Sequence, residues 1–228
     1  MSVLVIGSLG NMGKRYCAIL KQLGIEFTGM DVRQAVWSDR IDRAICEARK
    51  IIVAVPTVRH VHVIEDIAET RKRNSMPSAH VLCEKPLATN PAGFERLRRA
   101  EQAGVRVFCV NQYAHHPQYE TFSRTTGRTH YNYFQHGDDG LVWDCFQLFV
   151  LAKGTVSLND QSPVWTCRVN GTLLNLAGMD LAYVKMVEDF IDDMRRVWDL
   201  DTAEIGTKKV QKWIADEAAD IAESQNQN

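Results

Sequence analysis

The sequence predicts an α/β chain, with a doubly wound parallel sheet in its N-terminal part and a smaller α+β domain containing an antiparallel sheet after it. Two observations predict the first part. Short β-branched runs alternate with helix-length periodic segments, and runs such as Val3 to Ile6 and Ile51 to Val55 are apolar throughout rather than at every second residue. Continuous apolar strands joined by helices need crossover connections and are covered on both faces, which is the signature of parallel pairing. A third observation predicts the second part. Beyond Pro117 the rhythm changes, and Thr129 to Gln135 alternates aromatic and polar residues with a period of two, as a half-exposed antiparallel strand does.

Element by element, Val3 to Ile6 is the first strand, followed by a glycine turn and a helix through Leu20. Ile25 to Met30 is the second strand, and a helix from Ser38 to Arg49 leads to the apolar run Ile51 to Val55, which Pro56 bounds. A helix from Arg59 to Arg73, a strand from His80 to Cys83, a basic amphipathic helix from Pro91 to Gly104 and a strand from Val105 to Val110 complete the first domain, residues 1–115. In residues 116–228, Leu141 to Lys153 reads as a helix. Val164 to Val169 reads as an alternating strand, with Asn170-Gly171 as a hairpin turn into Leu173 to Leu176. Two helices, Leu181 to Trp198 and Thr202 to Glu223, close the chain or pack back on the first domain, and the polar tail Ser224 to Asn228 is expected to fray.

A hydrophobic share of 45% and a charged share of 24% are those of a globular protein with a real core. Lys and Arg number 27 against 28 Asp and Glu, so neither a nucleic acid nor an anionic membrane has an electrostatic footprint to bind. The runs Arg71-Lys72-Arg73 and Arg98-Arg99 fall on helices and read as solvated faces. Six cysteines without a C-x-x-C pair indicate thiols in a reducing compartment. Val3 enters a strand with no basic leader ahead of it, and the apolar stretch Phe146 to Ala152 is far below the roughly 20 residues that span a bilayer. The expected location is the cytoplasm.

Gly7-Ser8-Leu9-Gly10-Asn11-Met12-Gly13 follows the first strand and opens the first helix. Glycines there let a pyrophosphate approach the backbone, and the N–H groups and positive end of the helix face it. The spacing is G-x-x-G-x-x-G, a variant of the Rossmann fingerprint. Asp31 ends the second strand, 18 residues after Gly13, where a carboxylate accepts hydrogen bonds from the adenosine ribose. That placement favours NAD over NADP, because a 2′-phosphate would meet a like charge. Arg33 is placed to stack on adenine or to bind that phosphate.

Val55-Pro56-Thr57-Val58-Arg59-His60 and Cys83-Glu84-Lys85-Pro86-Leu87 come next in the argument. With the glycine turn they resemble the Gfo/Idh/MocA family of glucose–fructose oxidoreductase and inositol dehydrogenase, over about the first 117 residues. The resemblance implies that Lys85 faces the nicotinamide and the reacting hydroxyl, with Glu84 beside it and the Lys85–Pro86 bond often cis. An alcohol oxidation needs a base for the hydroxyl proton while the hydride moves to the ring, and a lysine can supply it. By the same resemblance Val55, Pro56, Thr57 and His60 pass beneath the dinucleotide, and Asn111 and Gln112 lie near the nicotinamide ribose or carboxamide. Ala114 stands where the family often has arginine.

The family usually carries an aspartate and a histidine on the helix after a glycine-rich turn. The segment Gly137 to Leu148 contains no histidine. Asp144 takes one of those two positions, with Gln147 one helical turn on, so Asp144 either carries the proton or orients Lys85 or a substrate hydroxyl. His116 and His136 are the nearest substitutes. The second domain is also short for the family, so the pocket wall differs.

The leading expectation is an NAD-dependent oxidoreductase moving hydride between nicotinamide and a hydroxyl or carbonyl of a sugar, cyclitol or nucleotide-sugar. Its rival is a dinucleotide-binding sensor or assembly protein without turnover. Metal-dependent hydrolysis, raised by His60-x-His62 and His115-His116, is disfavoured, because residues two apart on a helix point about 200° apart, and no metal is expected. The alternating strands of the second domain leave a sheet face that a homo-oligomer would cover, as the resemblance also implies.

Overall fold

The computed structural model describes residues 2–31, 39–117, 129–132, 156–159, 166–169, 172–174, 179–192, 194 and 197–226. The first half follows the expected alternation, through β1 (Val3–Ile6), α1 (Asn11–Gln22), β2 (Phe27–Met30), α2 (Asp39–Glu47) and β3 (Lys50–Val53). A 3₁₀ turn over Thr57–Arg59 precedes α3 (His60–Arg73), and β4 (Ala79–Cys83), α4 (Pro91–Gln102) and β5 (Val105–Cys109) follow. Asn90 starts α4 by accepting the Gly93 N–H at 2.9 Å, with Pro91 in the first turn where its missing N–H is no loss.

The sheet order is β5-β4-β3-β1-β2, all parallel, so β1 lies inside the sheet between β2 and β3. Alternate residues of each strand serve opposite faces. Leu4, Ile51, Val53, Val81 and Val107 pack with α2, α3 and α4, while Val3, Val5, Ile52, Leu82 and Phe108 pack with Tyr16, Ile19 and Leu20 of α1. Burial on both faces is why β1 and Ile51–Val53 of β3 read as unbroken apolar runs. Each such side chain contributes on the order of 1.5–3 kcal/mol on full burial.

The expected helix to Trp198 is two elements instead. Helix α5 (Met179–Asp192) ends earlier, and β10 (Trp198–Asp199) pairs antiparallel with β5 as a sixth strand. Trp198 pairs with Cys109 and is buried, so its side chain serves the sheet rather than a helix face. Helix α6 (Leu200–Asn226) reaches into the tail expected to fray, as far as Asn226. Both helices pack on the parallel sheet: Met186, Val187 and Phe190 of α5 join the α1 face, and Leu200, Ala203 and Val210 of α6 join the other. Arg98 on α4 pairs with Asp201 at 3.1 Å and with Glu204, fixing the start of α6. The expected division at residue 115 is therefore crossed by elements that return to the first core.

A second sheet has the order β7-β6-β8-β9, from β6 (Thr129–Asn132), β7 (Val156–Asn159), β8 (Thr166–Val169) and β9 (Thr172–Leu174). Val169 pairs with Thr172, leaving two residues between the strands as the Asn-Gly hairpin requires. The sheet is mixed, because β6 and β7 run parallel while the other two pairings are antiparallel. The expected helix from Leu141 to Lys153 lies outside the described residues.

Arg71 departs from the solvated reading of its basic run. It is 1% exposed, and its guanidinium donates to the carbonyls of Ile45, Ala48 and Pro77. Those carbonyls sit at the end of α2 and in the loop after α3, where backbone acceptors need a donor.

Candidate functional site

The C-terminal edge of the parallel sheet carries, from β2 inward, Asp31, then Gly7 after β1, Ala54 to Thr57 after β3, and Glu84-Lys85 after β4. These segments line one cavity of about 990 Å³. Asp31 and Lys85 stand three strand spacings apart along that edge, about 14 Å at ~4.8 Å per spacing. That is the span across which an open parallel sheet holds an extended ligand at its switch point.

The glycine turn is built for close approach. Gly7 has φ of +88°, and a Cβ there would meet the Ala54 carbonyl oxygen at 2.6 Å. A Cβ on Gly13 would lie 2.0 Å from the Gly7 oxygen, so α1 can sit this tightly on the turn only with glycine. Gly7 and Ser8 donate to the Met30 carbonyl at 2.8 and 3.1 Å, and Gly10 donates back to Gly7 at 3.0 Å. The turn is thereby fixed to β2. Gly10 is the N-cap of α1 and no side chain caps that helix, so its first-turn N–H groups face the cavity that Gly10, Asn11 and Met12 line.

Asp31 is 4% exposed, and its Oδ2 accepts the Leu9 N–H at 3.2 Å. A carboxylate buried at one end of the cavity and tied to the glycine turn suits ribose hydroxyls, whose O–H groups both donate. An uncapped helix start, an acceptor for hydroxyls and an amine at the far end together fit a dinucleotide.

At the amine end, the Lys85–Pro86 peptide is cis. Glu84 is buried, and its two oxygens serve two donors, the Tyr16 hydroxyl at 2.6 Å and the Lys85 N–H at 3.2 Å. His60 is 1% exposed, with Nδ1 2.8 Å from the Pro86 oxygen and Nε2 2.9 Å from the Val55 oxygen. Helix α6 supports the next stretch: Thr207 donates to the Ala88 carbonyl at 3.3 Å and Gln211 to that of Thr89 at 2.6 Å. Beneath Glu84, Cys83 and Cys109 are register partners with no exposed surface, and burial pushes both thiols far up, which makes them inert packing groups.

Of the residues expected to hold a cofactor, Gly7, Gly10, Asn11, Met12, Asp31, Val55, Pro56, Thr57, His60, Glu84 and Lys85 line the cavity. Ser8, Gly13, Asn111 and Gln112 are not among its lining residues. Gly13 serves packing, and Asn111 holds its own turn by accepting the Ala114 N–H at 3.3 Å. Arg33, Asp144 and His136 lie outside the described residues. His116 is buried after β5, and burial lowers its pKa. Among the described residues no group of three or more His, Cys, Asp or Glu is placed to hold a metal ion.

Five residues that line the cavity were not among those expected to: Arg59, His62, Ala54, Val63 and Tyr183. The first two flank His60 on the turn into α3, and their neighbourhood was signal enough. Tyr183 comes from α5, where it stacks edge-on with Tyr16 at 6.4 Å and lies under Arg15 at 4.7 Å. No local motif marks it, because its place depends on α5 returning to the first sheet.

Residues 26–112 match the model of the oxidoreductase family GFO_IDH_MocA, an NAD-binding Rossmann fold. No curated protein matches the chain by sequence. Among solved structures, UDP-N-acetylglucosamine 3-dehydrogenase GnnA from Acidithiobacillus ferrooxidans is 14% identical, with a TM-score of 0.69 over 93% of this chain and 96% of that one. The WlbA (WbpB) dehydrogenase from Thermus thermophilus, solved with NAD and α-ketoglutarate, is 15% identical, with a TM-score of 0.66 over 92% and 93%. Scyllo-inositol dehydrogenase from Lactobacillus casei, solved with NAD(H) and scyllo-inositol, is 12% identical, with a TM-score of 0.60 over 92% and 95%. At these identities the likeness is one of fold.

Proposed function

We propose, on the premise that residues 26–112 carry the NAD-binding Rossmann fold of the Gfo/Idh/MocA oxidoreductases, that the chain oxidises a hydroxyl, or reduces the matching carbonyl, of a sugar, cyclitol or nucleotide-sugar. The observation that carries this reading is that Lys85 shares one cavity with the uncapped start of α1 and with Asp31. Solved relatives in fold hold NAD(H) with scyllo-inositol, or NADH with UDP-GlcNAcA, which supports a polyhydroxylated substrate.

In this reading the first turn of α1 binds the diphosphate and Asp31 accepts the adenosine ribose hydroxyls, which favours NAD over NADP. Val55, Pro56, Thr57 and His60 form the floor. Bound NAD(H) supplies the hydride acceptor or donor. Lys85 Nζ takes the proton from the substrate hydroxyl in the oxidation and returns it in the reduction. Asp144 shares that proton or orients the hydroxyl, and Asp144→Asn should lower kcat more than it raises KM if it does. Residues 116–228 supply the substrate side and an oligomer face, which a monomeric mass in solution at high concentration would argue against. No helix among the described residues is long and apolar enough to cross a membrane, and we place the protein in the cytoplasm.

The test is incubation with NAD⁺ and a panel of polyols and nucleotide-sugars, followed at the NADH absorbance. Reduction by one class of substrate, abolished by Lys85→Ala with NAD⁺ binding intact, is the expected result. Tight NAD⁺ binding with no reduction by any member would overturn the catalytic reading.

A further inference from the structure

Tyr16 stands on the second turn of α1, three residues after Gly13, and has no exposed surface. A buried phenol needs an acceptor, and this one finds a carboxylate 68 residues away in sequence. Its hydroxyl donates to Glu84 Oε1 at 2.6 Å, and the other oxygen of the same carboxylate accepts the Lys85 N–H at 3.2 Å. Glu84 is itself fixed from below, where its N–H donates to the Val53 carbonyl at 3.0 Å. One carboxylate therefore joins the helix whose first turn faces the cavity to the peptide that carries the cavity's amine.

From this geometry we propose that Tyr16 is a positioning residue, which holds the Lys85 backbone through Glu84 and so couples the diphosphate-facing helix to the proton-transferring amine. The proposal rests on the functional reading above for the role of Lys85, but the link itself is a property of the chain alone. The hydrogen bond between a phenol and a carboxylate is charge-assisted and directional, so it fixes the carboxyl plane, and that plane aims Oε2 at the Lys85 amide. Burial and the neighbouring Glu84 both push the Tyr16 hydroxyl up, so it remains a donor across the neutral range. The Tyr16 ring also packs edge-on against Tyr183, which lines the same cavity, and its removal by truncation would disturb packing as well as the bond. Phenylalanine separates the two, since it keeps the ring and deletes only the donor.

The experiment is amide hydrogen exchange by mass spectrometry on the ligand-free chain, wild type against Tyr16→Phe, with peptides covering Cys83 to Leu87 and, as internal reference, β1 and β3. Exchange at Lys85 is expected to rise roughly tenfold, the effect of one lost hydrogen bond, with β1 and β3 unchanged. Equal exchange at Lys85 in the two proteins would overturn the proposal. If the references also rise, the variant has loosened globally. Glu84→Gln then decides: it keeps an acceptor but removes the charge, and a rise confined to Cys83 to Leu87 supports the link while no rise refutes it. In turnover assays, Tyr16→Phe should lower kcat about tenfold and leave the KM for NAD⁺ within about twofold; a KM effect with unchanged kcat would refute the coupling to the amine. A wild-type chain that fails to reduce NAD⁺ with every substrate tried would sink the oxidoreductase reading and leave the exchange result to judge the link.

Discussion

The Nδ1 atom of His60 lies 2.8 Å from the carbonyl oxygen of Pro86, and its Nε2 lies 2.9 Å from that of Val55. One imidazole thus bridges the loop after β3 to the loop that carries Lys85. Burial lowers the pKa of this ring, and the two carbonyls and Glu84 oppose that shift only in part. Neutral imidazole then donates a single N–H to one of the two oxygens.

The pH dependence of stability follows from that shift. The unfolded chain binds a proton at His60 near the ordinary histidine pKa of about 6.5, and the folded chain binds it only at lower pH. Stability is therefore fully present above about pH 6.5 and is lost as pH falls through the lower folded value. His80 and His116 are shifted the same way by burial and add to the slope. Urea unfolding between pH 7.5 and 5.5 should show a falling free energy, with a slope up to about 1.4 kcal/mol per pH unit for each histidine in its window. In His60→Gln the slope should be shallower; an equal slope in both proteins would remove His60 from the account.

Arg71 offers a prediction of pure stability. Its three carbonyl partners gather the end of α2 and the loop after α3, and none of its work involves an acidic partner among the hydrogen bonds it makes. Arg71→Met keeps most of the stem's packing and leaves those acceptors without a donor. The expected loss is about 3 kcal/mol, read as a lower midpoint in urea with little change in slope. A loss under about 0.5 kcal/mol would mean that water takes over the acceptors.

Arg71 also shows what a sequence withholds. Its run, Arg71-Lys72-Arg73, looks like a solvated face, yet Lys72 and Arg73 are exposed and Arg71 is not. Only the tertiary placement of α2 against α3 decides which of the three turns inward. Strands β1 and β3 were legible because burial on both faces writes itself as a continuous apolar run, and the glycine turn because a backbone approach admits few residue types. The strand Trp198–Asp199 was not legible: two residues have no period, and their pairing with β5 depends on α5 ending at Asp192. For the same reason Tyr183 escaped notice while Asp31, bound to its strand end, did not.

The glycines of the turn divide into those that packing requires and those that backbone conformation requires. Gly13→Ala would place a methyl carbon 2.0 Å from the Gly7 oxygen, a backbone atom that can retreat only if the turn opens. Stability should fall by about 1–3 kcal/mol and the Kd for NAD⁺ should rise at least about tenfold, because in the proposed reading the same turn binds the diphosphate. Gly24→Ala is the control. It has open space around it but a φ of +68°, so it should lose about 1 kcal/mol from strain and bind NAD⁺ normally in calorimetric titration. Equal affinities in the two variants would detach the glycine turn from the ligand.

Asp31 performs two tasks that substitution can separate. Its Oδ2 holds the Leu9 N–H, which steadies the glycine turn, and in the proposed reading its charge opposes a 2′-phosphate at the ribose. Asp31→Asn keeps an acceptor for Leu9 and removes only the charge, whereas Asp31→Ala removes both. The charge alone, against one phosphate charge about 5 Å away at an effective dielectric of about 20, is worth about 3 kcal/mol. The ratio of Kd for NADP⁺ to Kd for NAD⁺ should therefore fall by at least about tenfold in both variants. The Kd for NAD⁺ should rise further in Asp31→Ala than in Asp31→Asn, because only alanine releases the turn. Fluorescence titration with both cofactors reads all four constants. An unchanged ratio in Asp31→Asn would show that the carboxylate serves the turn alone, and the selection between the two cofactors would then have to come from another group on the adenosine side.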